Sequence, residues 1–361
     1  MQPHAFASNM NVRLLRCVVA LPCLLALGCD HDTPATDVPE ASSGLGSAFE
    51  PLECRIGHRP QELLPTDAMI VVGYDMARER RHSPRVDPIE AKGPRTLLPA
   101  EIELARAAWI STAAACDLDQ DFLGEAWGAL DNEEEVVVVV SGHGVGEREN
   151  LECITDRLRL AEVELVDSAR FVPDGCGLRF DIDGITGFAP HDDLFVIGTE
   201  GGVQRARAAW NRKRRHPPER LLPQRRSKTY AWAAVDVAMF FYGDDFADLG
   251  ATQTFADVRS VTAEATLGTR FGLELGAAFG DEGAAKGAEA VVQAWIDAPP
   301  PDVPPWGREL LSAVDLSRDG TALNARLAFS RKDAHEAGLL PSKVEAKQMP
   351  AFAWLLALLW L

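Results

Sequence analysis

The chain has 361 residues, of which 47% are apolar and 25% are charged, and its formal net charge is −18. This composition excludes a collagen-like, low-complexity or wholly disordered chain, and the length predicts one large domain or two ordinary ones. The excess of 54 acidic over 36 basic residues argues against nucleic acid as a partner, because binding to phosphates needs a cationic surface.

The first 28 residues have the composition of an export signal. They contain no acidic residue, and Arg13 and Arg16 precede an apolar run of 11 residues from Cys17 to Leu27. A basic segment, an apolar run of this length and a small residue at its end are typical of a signal peptide. The run is too short to span a bilayer, since a membrane-spanning helix needs about 20 residues.

The segment from Ala26 to Cys29, with the sequence ALGC, resembles the lipobox of bacterial lipoproteins. The resemblance implies that the sulfur of Cys29 is acylated and that the chain is cut just before it, whether translation starts at Met1 or Met10. A plain secretory signal and an uncleaved anchor are the alternatives. Residues 29–50 are rich in Asp, Pro, Ser, Thr and Gly, which predicts a disordered tether.

The predicted location is the cell envelope, with the lipid anchor in a bacterial membrane and the protein facing the periplasm or the cell surface. Without residues 1–28 the chain has 34 basic and 54 acidic residues and a formal charge of −20. An anionic membrane surface would repel such a protein, so the N-terminal lipid anchor is the predicted contact with the membrane. A protein or small-molecule ligand is expected, but the sequence does not name it.

Four cysteines remain after residues 1–29, and an even number in an exported chain predicts disulfides. They are Cys54, Cys116, Cys153 and Cys176, which allow three pairings. We favour Cys153–Cys176, which would tie a helix to a nearby loop, and Cys54–Cys116 by elimination. None of these cysteines has CxxC spacing, so the sequence gives little support for zinc binding or redox chemistry.

Apolar and turn patterns predict an α+β fold with mostly antiparallel strands. The run from Glu133 to Val140 is continuous and β-branched, which is typical of a central strand. The turn Arg318-Asp319-Gly320 predicts a hairpin within Leu310–Ser330. Further strands are predicted at Met69–Met76, Glu162–Val172, Leu178–Ile182, Leu194–Ile197, Thr229–Val237 and Arg259–Leu275, and helices at Pro99–Ala115, Asn150–Leu160, Gly201–Trp210, Glu282–Ala298 and Lys332–Leu339.

The order of these elements predicts two tandem similar halves, each an antiparallel sheet with helices packed on one face. The first half covers residues 51–210, a basic proline-rich connector covers 211–228, and the second half covers 229–340. The start of the first strand, Leu64–Ala68, resembles the Leu-Pro-x-Asp-Ala strand start of uncharacterised exported bacterial lipoproteins. That resemblance implies a similar location and no catalytic motif.

Two charged or apolar segments flank the second half. Residues 205–228 contain ten Lys or Arg and one acid, Glu219. Such a basic stripe could bind nucleic acid or an anionic surface, but within an acidic exported chain we favour a solvated connector, which could also pair with the chain's own acids. The tail, residues 341–361, ends in 11 apolar residues from Ala351 to Leu361. The end of the tail is expected to dock on the protein, to lie in the membrane interface or to contact a partner.

The segment Val136–Gly144, with the sequence VVVVVSGHG, resembles the strand and Ser-Gly-His-Gly turn of caspase-like cysteine peptidases. The resemblance implies that His143 is a base and that Cys176 is the nucleophile, because the thiolate is the attacking form. The context of Cys176 lacks the acidic residue that this family places before its nucleophile. A glycine-rich turn between a buried strand and a helix, with His143 at an exposed bend, is the interpretation we favour.

Other residue patterns suggest weaker sites. Gly142, Gly144 and Gly146, with Glu164 near the next strand, resemble a dinucleotide fingerprint whose third glycine comes one residue early. Asp117, Asp119 and Asp121 are spaced like calcium ligands, but Phe122 stands where an EF-hand loop has glycine. The acids in Asp181–Gly184 and His191–Asp193 are more typical of hairpin turns than of paired catalytic carboxylates.

The sequence therefore predicts a membrane-anchored, disulfide-bearing lipoprotein without catalytic activity or cofactor, with a binding or envelope-structural role. The alternatives are an exported caspase-like peptidase that uses His143 and Cys176, and a calcium-dependent binding module.

Overall fold

The computed structural model describes residues 51–54, 59–82, 112, 114–118, 122–160, 169–182, 185–211, 218–222, 228–237, 257–299 and 311–332. The predictions for residues 1–50, including Cys29, and for residues 333–361 lie outside this part of the chain. So do Asp119, Asp121, Glu164, Asp183, Gly184 and most of the helix predicted at Pro99–Ala115. No helix in the described ranges is long and apolar enough to span a membrane.

The described residues form one twelve-stranded antiparallel sheet with helices, as the predicted α+β class requires. Its strand order is β11-β12-β10-β9-β8-β1-β2-β3-β7-β6-β5-β4. The strands are β1 (Ala68–Asp75), β2 (Glu125–Asp131), β3 (Val136–Ser141), β4 (Ala169–Asp174), β5 (Gly177–Ile182), β6 (Ile185–His191), β7 (Leu194–Gly198), β8 (Thr229–Asp236), β9 (Val258–Leu267), β10 (Phe271–Phe279), β11 (Asp315–Asp319) and β12 (Ala322–Phe329).

Four α-helices and two short 3₁₀ helices accompany the sheet in the described ranges. The helix predicted at Glu282–Ala298 is confirmed almost residue for residue, because the structure has a helix at Glu282–Asp297. The side chain of Asp281 caps its N-terminus by accepting a hydrogen bond from the Ala284 N–H. The helices are α1 (Met76–His82), α2 (Arg148–Leu160), α3 (Glu200–Asn211) and α4 (Glu282–Asp297), and the 3₁₀ helices are Pro60–Leu63 and Glu219–Leu221.

The strands β1 to β7 and their helices are here called the first region. Its inner strands β2 and β3 are buried on both faces of the sheet, whereas the edge strand β4 has no buried residue. Val136, Val138 and Val140 of β3 belong to one apolar cluster with Met76 of α1 and Leu151 of α2. Alternate side chains of a strand point to opposite faces. Accordingly, the intervening Val137 and Val139 pack with Val203, Ala206 and Trp210 of α3. Helices therefore lie on both faces, where the sequence predicts one face, because the valine run is apolar on both sides.

The strands β8 to β12 and α4 are here called the second region. Beyond β8, which is mostly buried, α4 packs on one face of the sheet. The α4 residues Ala285 and Ala288 are fully buried against Phe279 and Leu323. The predicted hairpin is confirmed as β11 and β12, which are joined through Gly320 at φ +57°. The opposite face is polar, and its register aligns side chains from β9, β10, β11 and β12 in rows: Thr262, Glu264, Thr266, Glu274, Ser317, Asn324 and Arg326.

The two regions are joined at the centre of the sheet by β1 and β8, which pair from Ile70 with Val235 to Tyr74 with Ala231. The predicted connector is partly docked rather than fully solvated. Leu221 and Leu222 are buried in the same cluster as α3. These two leucines hold the described part of the connector against the sheet.

Two disulfides link parts of the first region, but not in the pairing that the sequence favours. Cys54 is bonded to Cys176, with 5.2 Å between their Cα atoms, and Cys116 is bonded to Cys153, with 5.9 Å. The favoured Cys153–Cys176 link is wrong because the extended segment 51–54 lies against the turn between β4 and β5. There the Cys176 N–H donates to the Leu52 carbonyl at 3.3 Å.

Candidate functional site

A cavity of about 50 Å³ lies where β1, β2 and β8 meet the first 3₁₀ helix. It is the junction between the two regions, because β1 and β8 are the strands that join them. Most of the lining residues are buried, but Asp75 and Glu125 are half-buried, so the cavity meets solvent on their side. The described lining residues are Gln61, Gly73, Tyr74, Asp75, Glu125, Trp127, Thr229, Tyr230 and Trp232.

The cavity owes part of its shape to a glycine in β1. A Cβ atom at Gly73 would lie 2.5–2.7 Å from three ring carbons of Trp127, which is closer than real Cβ atoms approach. The missing side chain therefore lets the indole of Trp127 lie across β1. The second indole of the lining, that of Trp232, is held by a hydrogen bond from its Nε1–H to the Leu221 carbonyl at 2.6 Å. Glycine in β1 thus admits one of the two indoles that line the cavity.

Two carboxylates face each other across the β1–β2 pair, where Asp75 stands opposite Glu125. Asp75 also begins α1, because its Oδ1 accepts the Arg78 N–H at 2.7 Å. Gln61 donates through Nε2 to Glu125 Oε1 at 3.1 Å. Burial raises the pKa of Glu125, and the neighbouring charge of Asp75 raises it further, while Trp127 and Gln61 oppose the rise. The two acids therefore repel each other at the solvent side of the cavity.

A buried carboxyl lies close to the cavity on the other face of the sheet. Glu79 of α1 is 1% exposed and accepts a hydrogen bond from the Tyr74 hydroxyl. The ring of Tyr74 meets that of Tyr230 edge to face, with centroids 5.5 Å apart. Burial raises the pKa of Glu79 to about 8, against which the Tyr74 hydrogen bond acts. Glu79 is therefore a neutral acid over most of the physiological range.

The segment after β3 is the glycine-rich turn that we favour, and His143 lies at its exposed bend. The His143 side chain is 77% exposed, and its Nδ1 lies 3.7 Å from Asp193 Oδ1. The Gly144 N–H donates to the same Asp193 oxygen at 2.9 Å. A Cβ atom at Gly146 would lie 2.3 Å from the His191 carbonyl oxygen, so the chain's own backbone occupies that space.

The structure does not bring together a free thiol and His143. Cys176 is bonded to Cys54 in the turn between β4 and β5, so its sulfur is not a thiolate in this form. Of the three spaced acids proposed for calcium, only Asp117 lies in the described ranges, where it has a φ of +52°. Within those ranges, no group of three His, Cys, Asp or Glu side chains could hold a metal ion.

The arginines of the basic stripe that the structure describes pair with the chain's own acids, which is one of the roles that the sequence allows. Arg207 makes two hydrogen bonds to Asp174, at 2.5 and 2.9 Å, and both side chains are largely buried. Arg220 lies 3.1 Å from Asp236, and Arg205 lies 2.8 Å from the fully buried Asp131. These pairs bind α3 and the connector to the sheet.

The cavity is the feature that reading the sequence missed. Its residues come from four separate segments, and no short motif marks them. One signal was available, because Gly73 interrupts an apolar β-rich run, and a glycine inside a strand often marks a close approach by another group. The sequence does not show that the approaching group is Trp127.

Comparisons with known proteins give only distant likenesses. No protein-family profile matches the chain, and no curated protein matches its sequence. Among solved structures the chain is similar to crystal form III of TP0453, with a TM-score of 0.47 and 10% identity, covering 78% of this chain and 98% of that one. Form IV gives a TM-score of 0.42 at 10% identity over 79% and 98%, and form I gives 0.41 at 9% over 78% and 97%.

Proposed function

We propose that this chain is an exported, lipid-anchored envelope protein that binds a small ligand and catalyses no reaction. The observation that carries the proposal is the pair of disulfides, Cys54–Cys176 and Cys116–Cys153, which use all four cysteines left after Cys29. Disulfides persist in oxidising compartments outside the cytoplasm. They agree with the export signal and lipobox-like segment at residues 1–29.

The charge of the mature chain supports the lipid anchor as its contact with the membrane. With a formal charge of −20, the mature protein gains no attraction to an anionic bilayer from its surface charge. Acylation at Cys29, followed by the predicted tether of residues 29–50, supplies the attachment instead. Stable anchoring requires more than one acyl chain, which lipoprotein processing provides.

The binding role rests on the cavity between β1, β2 and β8. Ligand sites are concave, mostly apolar and furnished with a few polar groups, and they favour the places where two structural units meet. The cavity combines two indoles with Gln61, Asp75 and Glu125 at such a junction. The peptidase alternative draws no support from Cys176, whose sulfur is bonded to Cys54.

The strand order supports an origin of the fold in two similar halves. Outward from the central pair, one side of the sheet runs β1-β2-β3-β7-β6 and the other runs β8-β9-β10-β12-β11. On each side a helix, α2 or α4, follows the third strand, and a later hairpin returns to pair with that strand. The hairpin β4–β5 is then an addition to the first half. On this proposal the cavity lies at the seam between the halves.

The anchor is tested by expressing the full precursor in a bacterial host that is fed an alkyne analogue of palmitate. The wild-type chain should take up the label and fractionate with membranes, whereas Cys29→Ala should remain unlabelled. Cys23→Ala is the matched control, since Cys23 lies within the predicted signal and should not alter labelling. An unlabelled wild-type chain with free Cys29 in the cytoplasm would contradict the proposal.

A further inference from the structure

The cavity contains a polar group whose hydrogen-bonding capacity is not fully used. Gln61 is 9% exposed, and its Oε1 has no hydrogen-bond partner, although its Nε2 donates to Glu125. The Trp127 Nε1–H is also buried, and it acts on the Glu125 carboxylate as a hydrogen-bond donor that lowers its pKa. Buried polar groups are almost always satisfied, so an unused one in a cavity indicates that a further molecule belongs there.

The charge of the lining residues favours a positively charged ligand. Asp75 and Glu125 stand opposite each other in the β1–β2 register, and none of the described lining residues is positively charged. Arg78 bonds to Asp75 from α1, and Arg59 acts on Glu125 from outside the lining. A positive group between the two carboxylates would relieve their repulsion, whereas an anion would add to it.

The remaining walls suit an organic cation rather than a bare metal ion. Trp127 and Trp232 supply the indole surfaces that attract a cation most strongly among aromatic side chains. A divalent ion such as calcium takes six to eight oxygen ligands, which this lining does not offer. A volume of about 50 Å³ holds roughly three or four atoms the size of a water molecule.

We propose that the cavity between β1, β2 and β8 binds a compact primary ammonium ion of two to four non-hydrogen atoms. Its N–H groups would donate to the carboxylates of Glu125 and Asp75 and to Gln61 Oε1, while its carbon atoms would lie against the two indoles. The inference rests on the proposed binding role and names the chemical class of the ligand.

The test titrates the full mature protein with ethylammonium chloride and follows it by calorimetry and by the indole N–H signals in a ¹H–¹⁵N spectrum. Ethylammonium should bind and shift the Trp127 indole signal, which is assigned by its loss in Trp127→Phe. Ethanol has the same number of non-hydrogen atoms but no charge, and it should not bind measurably. Tetramethylammonium has no N–H group and should also fail.

Two variants place the binding site. Glu125→Gln and Asp75→Asn should each raise the Kd for ethylammonium by roughly tenfold or more, because each removes one of the charges that face the cation. Asp75→Asn keeps the oxygen that begins α1. Glu149→Gln makes the same chemical change on an exposed carboxylate of α2 and should leave the Kd unchanged. Circular dichroism and thermal melting show that each variant is folded.

Three results would overturn the inference. They are no binding of ethylammonium by folded wild-type protein, equal binding of ethanol, and unchanged affinity in folded Glu125→Gln. The first would mean that ordered water fills the cavity. These failures are separable from failure of the proposed location, because a chain acylated at Cys29 keeps its anchor whatever the titration gives.

Discussion

Strands β2, β3, β6 and β7 are largely buried on both faces, whereas β9 to β12 have α4 on one face and a polar surface on the other. The difference is visible in two tryptophans. Trp210 of α3 is fully buried and donates to the Glu53 carbonyl at 3.0 Å, while Trp295 of α4 is 43% exposed. In the first region the stability comes from packing across the sheet. The second region depends more on its long strand ladders and on its continuity with β1.

The largest expected effect contrasts these two tryptophans. Trp210→Ala should reduce the free energy of unfolding by about 3–5 kcal/mol, because it leaves a large cavity in a closed core. Trp295→Ala should cost about 1 kcal/mol or less, since nearly half of that side chain already meets water. Urea unfolding of both variants measures the difference. Similar losses would mean that the second region is packed as tightly as the first.

The disulfides should matter next, and only through the first region, because the chain has no cysteine after Cys176. The Cys54–Cys176 bond spans 122 residues and the Cys116–Cys153 bond spans 37. Replacing both cysteines of either pair by serine should cost about 2–4 kcal/mol, and the longer loop should cost about 1 kcal/mol more. Thermal melting of the two double variants checks the order. If the Cys116–Cys153 variant melts lower, loop length does not control the effect.

The buried acid of α1 should make the stability depend on pH. Glu79 keeps its proton in the folded protein up to a pKa of about 8, whereas an unfolded glutamate loses it near its ordinary pKa of 4.5. Stability from this group is therefore complete below about pH 4.5 and falls by up to about 1.4 kcal/mol per pH unit until pH reaches about 8. Above that pH the group causes no further loss.

The comparison that checks this pH dependence is Glu79→Gln, which keeps the shape of the side chain but cannot ionise. Its free energy of unfolding, measured in urea at a series of pH values, should decline less steeply than that of the wild type between pH 5 and pH 8. Glu149→Gln, with an exposed carboxylate, should follow the wild-type curve. Parallel curves for Glu79→Gln and the wild type would show that Glu79 does not retain its proton.

The smallest effect is expected on the polar face of the second region. Arg326 Nη2 lies 2.9 Å from Glu274 Oε1, and the Arg326 side chain is exposed while that of Glu274 is half-buried. A double-mutant cycle with Arg326→Gln and Glu274→Gln should give a coupling of about 0.2–1 kcal/mol that decreases with added salt. A coupling well above this range would indicate that this face is covered in solution.

The sequence predicts elements well where one pattern repeats locally. The valine run of β3, the helix α4 with its Asp281 cap and the hairpin at Gly320 are examples. It does not predict the disulfide pairing or the cavity, because both depend on segments that are distant in the chain. Cys54 lies beside Cys176 because the Cys176 N–H donates a hydrogen bond to the Leu52 carbonyl. Trp127 lies beside Gly73 because the two residues are paired between β1 and β2. No local pattern in the sequence predicts contacts between segments that are so far apart in the chain.

The pairing of β1 with β8 has a consequence for how the chain matures. A polypeptide emerges from its N-terminus, so the apolar strand Ala68–Asp75 is available well before Thr229–Asp236. Until then one side of β1 presents unpaired amide and carbonyl groups, which can template association with other nascent chains. Pairing so distant in sequence also slows the search for the native topology. We therefore expect newly synthesised molecules to depend on a holding chaperone until the eighth strand arrives.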